Sequence, residues 1–483
     1  DMITFSRASG GTALRRVGYG PELADPSATY SLPAQYNGIS SAPAIGQTYR
    51  ISITRTTSGG GFTLSLGGSS SGWITFTGTR IFYLTTTNTN TLTIRGDGNT
   101  SGNAINVSVK QIVYDRATDP LVLYNHPANI PRIEYDAAGV VKGLLVEEAR
   151  TNVFTYSEDF TDASWTKTAT ATLALDAIGP DGQANSAVTL VDSGATGTGQ
   201  VILSLNSETV STSTAYTWSM YAKADQLSWL SFRTEQFTTP ANGNTYFNLS
   251  AGTLGTVFAG HTATIEGAGN GWYRCAITFT TDAADTVGNL KAYLAPSDGS
   301  LTVDLDGTSS ILVYGAQFEA GSFASSYIPT SGSTATRAAD IATIPTSAFG
   351  YNDAAGTVLL NVAFLSTNVS NNAGMDLWKD SSTKISFRKG LFLGSTGGTQ
   401  WGLAGIGTNS ELFAGSFKEN NVVQCNNGTL SSVDTSALIP QGITKLDMSR
   451  VDQNSNAFAL NGHIKSIQYY PRRLTNAQLQ ELT

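Results

Sequence analysis

Strict alternation of apolar and polar residues is the dominant pattern along this chain. It begins at Tyr49-Arg50-Ile51-Ser52-Ile53-Thr54 and recurs at Phe62-Thr63-Leu64-Ser65-Leu66, Ile74-Thr75-Phe76, Leu92-Thr93-Ile94 and Ile105-Asn106-Val107-Ser108-Val109. A period of two turns one side of each segment to a core and the other to water, as in a half-buried β-strand. The strings TTSGGG, LGGSSSG and GDGNTSGN separate these segments. They supply glycines for positive φ and Asn or Asp for side-chain turns. Residues 17–116 therefore read as a small β-sandwich, preceded by an N-terminal strap over 1–16.

Residues 117–152 read as a connecting strap holding three of the chain's 14 prolines. A second set of strands follows over 153–328: AYTWSMYAKA, SWLSFRT, TYFNLS, WYRCAITFT, LKAYLA and SILVYGAQFE. QTYRISITR resembles TAYTWSMYAK, and NVSVKQIVYD resembles SILVYGAQFE, which suggests two copies of one fold with different loop lengths. A Ser/Thr/Ala-rich linker over 329–349 contains two prolines, which could not continue a central strand. Strand patterns resume over 350–483 as a third sandwich. The only convincing helix is the last element, where Thr475 and Gln478 form a capping-box pair just after Pro471. The predicted fold class is all-β, three tandem antiparallel β-sandwiches with one short C-terminal helix.

Composition narrows the function. The 483 residues are 40% hydrophobic and only 13% charged, which argues against disorder and against long salt-bridged helices. The net charge of −8, with no block of Lys or Arg, leaves no electrostatic footprint for nucleic acid or an anionic membrane. No run of about 18 apolar residues could span a bilayer. The opening DMITFSRASGG has no charged-then-apolar leader and reads as internal to a longer chain. Cys275 and Cys425, 150 residues apart in different predicted domains, are not expected to pair.

Several strings go beyond β patterning: TFSRASGGTALR at the start, NIPRIEYD (129–136), KGLLVEEARTN (142–152), YSEDF with Trp165, GAQFEAGSFASSYIPTSGSTATRAAD (315–340) and HIKSIQYYPRRLTNAQLQEL (463–482). Together they resemble segments of phage virion head-spike and tail-fibre proteins. The resemblance implies a middle domain like the jelly-roll carbohydrate-binding modules and a C-terminal domain like the concanavalin A-like or laminin-G-like sandwiches. It also implies a location on the virion surface and a homo-oligomer, with a trimer favoured. In such proteins the TFSRAS and IPRIEYD segments lie close together, whereas here about 100 residues intervene. The insertion, 17–116, resembles a small carbohydrate-module-like jelly roll and is the candidate for private specificity.

Enzyme signatures are absent: no convincing nucleophile elbow, phosphate loop or HExxH pair is present, so no catalytic residue is assigned. His126, His261 and His463 fall in separate domains or in the strap, and His463 reads as a strand-edge or turn residue. Glu147 and Glu148 are adjacent and would point to opposite sides of a strand, which suits structural bonds to Arg150 or Arg132 rather than glycoside hydrolysis. Asp304 and Asp306, two apart in VDLDG, share a strand face and with Asp298 could hold a structural Ca²⁺, against an ordinary role as solvated turn acids. Parity along the middle strands turns Trp218, Met220, Leu230 and Phe232 inward. It leaves Tyr221, Trp229, Arg233, Trp272, Arg274 and Tyr293 outward as an aromatic and cationic platform for glycan. The competing reading is that this face packs on another domain or a partner subunit. Trp378, Trp401, Tyr469 and Tyr470 raise the same question in the C-terminal domain.

The function expected first is a non-enzymatic virion spike or fibre. Its partners are host-surface or capsular polysaccharide and other virion proteins. The alternatives are a polysaccharide hydrolase or lyase, with Asp447 and Asp452 as the nearest C-terminal carboxylates, and a structural bacterial adhesin.

Overall fold

The computed structural model describes residues 4–7, 10–24, 29–31, 36–37, 42–56, 60–75, 77–96, 103–365, 374–388, 391–404, 412–449 and 459–483. Alternation is realised as antiparallel sheets, and the one α-helix among the described residues is Asn476–Leu482. The Thr475 hydroxyl accepts the Gln478 N–H at 3.2 Å and the Gln478 side chain accepts the Thr475 N–H at 3.0 Å, so the capping box is complete. The protein is all-β. Its contacts divide it into two compact units, Arg15–Leu121 and the pair Asp1–Leu14 with Val122–Thr483.

The first unit is the small sandwich. One sheet sets Gly11–Glu22, Asn103–Tyr114, Thr48–Arg55 and Gly78–Thr85 side by side, and a second sheet sets Tyr36–Asn37, Thr93–Gly96, Phe62–Leu66 and Ser69–Ile74. The alternating residues Ile51, Ile53, Phe62, Leu64, Leu66, Ile94, Val107 and Val109 close the core between them. Each such burial is worth roughly 1.5–3 kcal/mol before ordering costs.

The second unit holds two sandwiches. In the middle one, a sheet containing Ala215–Ala224, Trp272–Thr280 and Ser310–Ala320 faces a sheet containing Ile202–Thr209, Val287–Ala295 and Trp229–Glu235. Trp218, Met220, Cys275, Ile277 and Phe279 meet Leu230, Phe232, Leu290, Ala292 and Leu294 across the core. Trp218 stacks on Phe232 with ring centres 4.0 Å apart. The strands likened between the first and middle sandwiches are hydrogen-bonded neighbours in each: Thr48–Arg55 with Asn103–Tyr114, and Ala215–Ala224 with Ser310–Ala320. Both cysteines are buried free thiols.

The C-terminal sandwich draws on more of the chain than 350–483. Its two seven-stranded sheets take in Thr4–Ser6 and Ile341–Pro345 on one side and Arg132–Tyr135 with Val141–Val146 on the other. The segments read as straps and linker are thus working strands. Pro345 ends its strand, where the missing N–H costs nothing to the ladder.

Four of the motif strings converge on one buried ion cluster. Arg7 of TFSRAS bonds Asp340 of TRAAD at 3.0 Å, and Arg132 of NIPRIEYD bonds both Asp340 and Glu147 of VEEARTN, the latter at 2.7 Å. Arg337 lies 3.5 Å from Glu147, and Ser326 donates to Glu147 through its N–H and its hydroxyl. Burial opposes ionisation of Glu147, but Arg337, Arg132 and the Ser326 donors hold its carboxyl far below the usual range. Glu148 pairs separately with Arg150 at 2.6 Å. Adjacent acids on opposite sides of the backbone serve three arginines, Glu147 taking Arg132 and Arg337 and Glu148 taking Arg150, and four remote segments are tied into one unit.

Candidate functional site

The six residues proposed as a single platform fall on two sheets. Tyr221, Trp272 and Arg274 belong to the sheet of Ala215–Ala224 and Trp272–Thr280. Trp229, Arg233 and Tyr293 belong to the opposite sheet, through Trp229–Glu235 and Val287–Ala295. Since the core lies between the sheets, the two trios face away from each other and cannot contact one ligand together. The platform is corrected accordingly. Parity placed every one of them off the core, but Tyr221, Trp272 and Tyr293 are buried all the same. Tyr221 and Trp272 pack in a second apolar cluster with Leu123, Ala268, Tyr314 and Tyr327, so the chain itself covers part of that outer face. On the other side Arg233 is held by Glu235 at 2.8 Å and Asn244 at 2.7 Å.

The calcium reading is also corrected. Asp306 accepts the Thr308 N–H and hydroxyl at 2.9 and 2.6 Å, and Asp298 accepts the same pair of groups from Thr256. Asp304 is exposed, and its carbonyl accepts from Ser309. The neighbouring buried carboxylate, Asp192, takes N–H donors from Gly194, Gly307 and Ser309, so hydrogen bonds already satisfy the anion that a cation would need. Among the described residues no three His, Cys, Asp or Glu side chains gather as a metal site.

Two of the six residues do line a cavity. Between the outer face of the middle sandwich and the hairpin Arg132–Tyr135 with Val141–Val146 lies a space of about 410 Å³, walled by Tyr221, Arg274, Glu266, Glu134, Lys142 and Tyr135. The EYDAAG turn shapes one wall: the Asp136 carboxylate accepts the N–H groups of Ala138 and Val140, and Gly139 takes φ +81°. Gly267 permits the close approach, since a Cβ there would stand 2.7 Å from that of Ala137.

Charge is organised within this cavity. Glu134 bonds His463 at 2.5 Å and Lys142 at 3.0 Å. Burial raises its pKa, but the bonds and charges of His463 and Lys142 outweigh this and bring it down to about 2. Burial works against the Lys142 cation too, yet Glu134 and Glu266 raise its pKa overall. Burial pushes the Tyr221 phenol up to about 12, so it remains a donor at neutral pH. The Arg274 guanidinium bonds the Ser325 carbonyl and the Ser219 hydroxyl, and lies 5.5 Å over the Tyr221 ring. Ionised at neutral pH, Glu134 is an acceptor for hydroxyls, opposite in character to the raised carboxyl that a glycosidase acid requires.

Sequence reading missed Glu134, Lys142, Glu266 and His463. The usable signal was the DAAG turn between apolar runs, which marks a hairpin inside the supposed strap. His463 is not an edge residue: it is buried in Gly462–Tyr470, between neighbours on both sides. Asp447 is buried, accepts from Ser449, and lies directly opposite Asp376 in register. Asp452 lies outside the described residues. Of the C-terminal aromatics, Trp378 is buried beside Lys384, Trp401 donates to the Leu438 carbonyl, Tyr469 packs on Phe349, and Tyr470 donates to Gln468.

No family model matches the chain, and no curated protein matches it. Among solved structures it is similar to the N-terminal CBM22-1–CBM22-2 tandem domain of Xyn10C from Paenibacillus barcinonensis, at 11% identity and a TM-score of 0.23, over 65% of this chain and 100% of that one. Tripeptidyl peptidase 2 is similar at 11% identity and a TM-score of 0.14, over 64% of this chain and 26% of that one. Superpositions this loose carry no argument about ligand or activity.

Proposed function

We propose that this chain is a non-enzymatic surface protein of a phage virion, a head spike or tail fibre, that attaches to host-surface or capsular polysaccharide through the cavity on its middle sandwich. The observation that carries the reading is that two polar groups lining it keep hydrogen-bonding capacity for a ligand. The Tyr221 hydroxyl makes no hydrogen bond to the described residues, and the exposed Glu266 carboxylate, though its charge acts on Lys142, makes neither a hydrogen bond nor an ion pair with them. A sugar's vicinal hydroxyls supply one acceptor and one donor for such a pair. Glycan arrays probed with the intact chain, Tyr221→Phe and Glu266→Gln test it: binding that weakens in both variants supports the cavity, and equal binding by all three overturns it. Weak sugar contacts gain strength through repetition, so the spike is expected to be multimeric, most simply a trimer. A clean monomer in sedimentation at working concentration counts against that assembly.

A second reading, a polysaccharide hydrolase or lyase, is favoured by the cross-strand neighbours Asp376 and Asp447, because directly paired residues bring two carboxylates within a few ångströms. Their burial weighs against it. New reducing ends after incubation with host capsule, lost in Asp376→Asn, would establish this reading in place of the first.

A further inference from the structure

The small sandwich presents a surface that the cavity does not use. On its sheet of Gly11–Glu22, Asn103–Tyr114, Thr48–Arg55 and Gly78–Thr85, one side belongs to the core through Ile51, Ile53, Val107 and Val109. On the other side Tyr83 stands directly opposite Arg50, and Ile81 directly opposite Ser52. Paired residues on antiparallel strands point the same way, so these four share one face. The Arg50 guanidinium lies 5.6 Å from the centre of the Tyr19 ring, which brings a third aromatic-sized group to that face. Burial and the nearby Tyr83 phenol raise the Tyr19 pKa, consistent with the two phenols being neighbours. Tyr19, Ile81 and Tyr83 are 38%, 41% and 37% exposed, three large side chains gathered on one face of the sheet. Around them the face carries hydroxyls and one ion pair: Thr54 and Thr79 bond each other at 2.7 Å, Ser52 lies opposite Ser108, whose hydroxyl donates to Glu22, and Lys110, opposite Arg50, lies 3.8 Å from Glu22.

We infer that this face is a second saccharide-contact surface, on which the Tyr19 and Tyr83 rings pack against the C–H faces of sugar rings in one glycan chain while Arg50 donates to their hydroxyls. Chemistry favours a glycan over a protein partner. A stable protein interface buries roughly 800 Å² per side around an apolar centre. Here the large side chains are only three, with Arg50 set between Tyr83 and Tyr19 and polar groups beside them, a layout that suits an amphipathic chain of sugars. The inference does not depend on the cavity on the middle sandwich.

The test is affinity electrophoresis of the intact chain in gels cast with dextran, arabinoxylan, galactomannan, barley β-glucan or polygalacturonate. At least one polysaccharide is expected to retard the wild type. The Tyr19→Ala/Tyr83→Ala double variant should lose about tenfold or more in affinity for it, and Arg50→Ala several-fold. Tyr19→Phe/Tyr83→Phe, which keeps both rings, should retain it, and this separates lost stacking from a damaged fold. Retardation of the double alanine variant equal to that of the wild type overturns the inference. So does an absence of retardation in every gel, or a wild-type oligomer that the double alanine variant dissociates without polysaccharide, which would assign the face to a second copy. Loss of binding in Tyr221→Phe with none in the tyrosine pair would leave the cavity standing and remove this surface.

Discussion

Replacing Asp340 with Asn removes the charge at the centre of the buried cluster while keeping its shape. Asp340 accepts Arg7 at 3.0 Å, the Glu147 N–H at 2.9 Å, and Arg132. The wild-type cluster sets Arg7, Arg132 and Arg337 against Glu147 and Asp340, all of them buried. With Asn there, one carboxylate faces three guanidinium groups, and the amide NH₂ must point a donor at another donor. Stripping one partner from a buried pair costs about 3–5 kcal/mol, because the charges left behind were desolvated on the assumption of company. At roughly 2–4 °C per kcal/mol for a domain of moderate size, the melting temperature should fall by about 6–20 °C. Guanidinium titration followed by fluorescence reports this, since Trp165, Trp218 and Trp272 are buried in the same unit. The partly exposed Arg233–Glu235–Lys291 group is the internal control, and Glu235→Gln should cost less than about 1 kcal/mol. If Asp340→Asn shifted the midpoint no more than Glu235→Gln does, the cluster would not be what holds the four motif segments together.

Three further outcomes are expected. His261 is buried between the hydroxyls of Thr234 and Thr245, 2.9 Å from each, and burial lowers its pKa to about 4, so its NMR titration should lie there rather than near 6.5. Because the fold holds it neutral, its contribution is intact above pH 6.5 and roughly 3 kcal/mol is lost as pH falls through 4, a slope that His261→Gln should abolish in urea titrations across that range. Gly321 has φ +146° and an added Cβ would collide with the Arg150 guanidinium, so Gly321→Ala should cost more than about 1 kcal/mol in thermal melts; an unchanged melting temperature would contradict the geometry. Thr475→Ala removes the hydroxyl of the capping box and should cost about 1 kcal/mol, read as faster amide exchange in Asn476–Leu482 with the sandwich cores unaffected.

Local sequence patterns specify a good deal of this protein. Alternation in TWSMYAK and WYRCAITFT correctly separates the core residues Trp218, Met220, Cys275 and Ile277 from Tyr221, Trp272 and Arg274. The side-chain period of a strand is set by its own backbone, so a window of a few residues contains the answer. The capping box is equally local. The motif arginines and acids were legible as structural partners, although their gathering at a single point was not, because Arg7 and Asp340 are 333 residues apart.

What the sequence could not decide is which sheet each strand joins and what then covers it. Trp229–Glu235 pairs with Val287–Ala295, whereas Trp272–Thr280 pairs with Ala215–Ala224, and this choice splits the supposed platform between opposite faces. Backbone hydrogen bonding is much the same for any strand, so pairing is settled by the long-range fit of side chains and turns. Solvent access is settled later still, by the hairpin of residues 132–146. That hairpin brings Glu134 and Lys142 to Tyr221 and Arg274 and leaves a cavity where alternation alone implied an open surface. The sequence by itself determined an all-β chain and the core side of its middle strands; tertiary packing decided which outward side chains still meet water, because that depends on contacts between segments remote from one another in the chain.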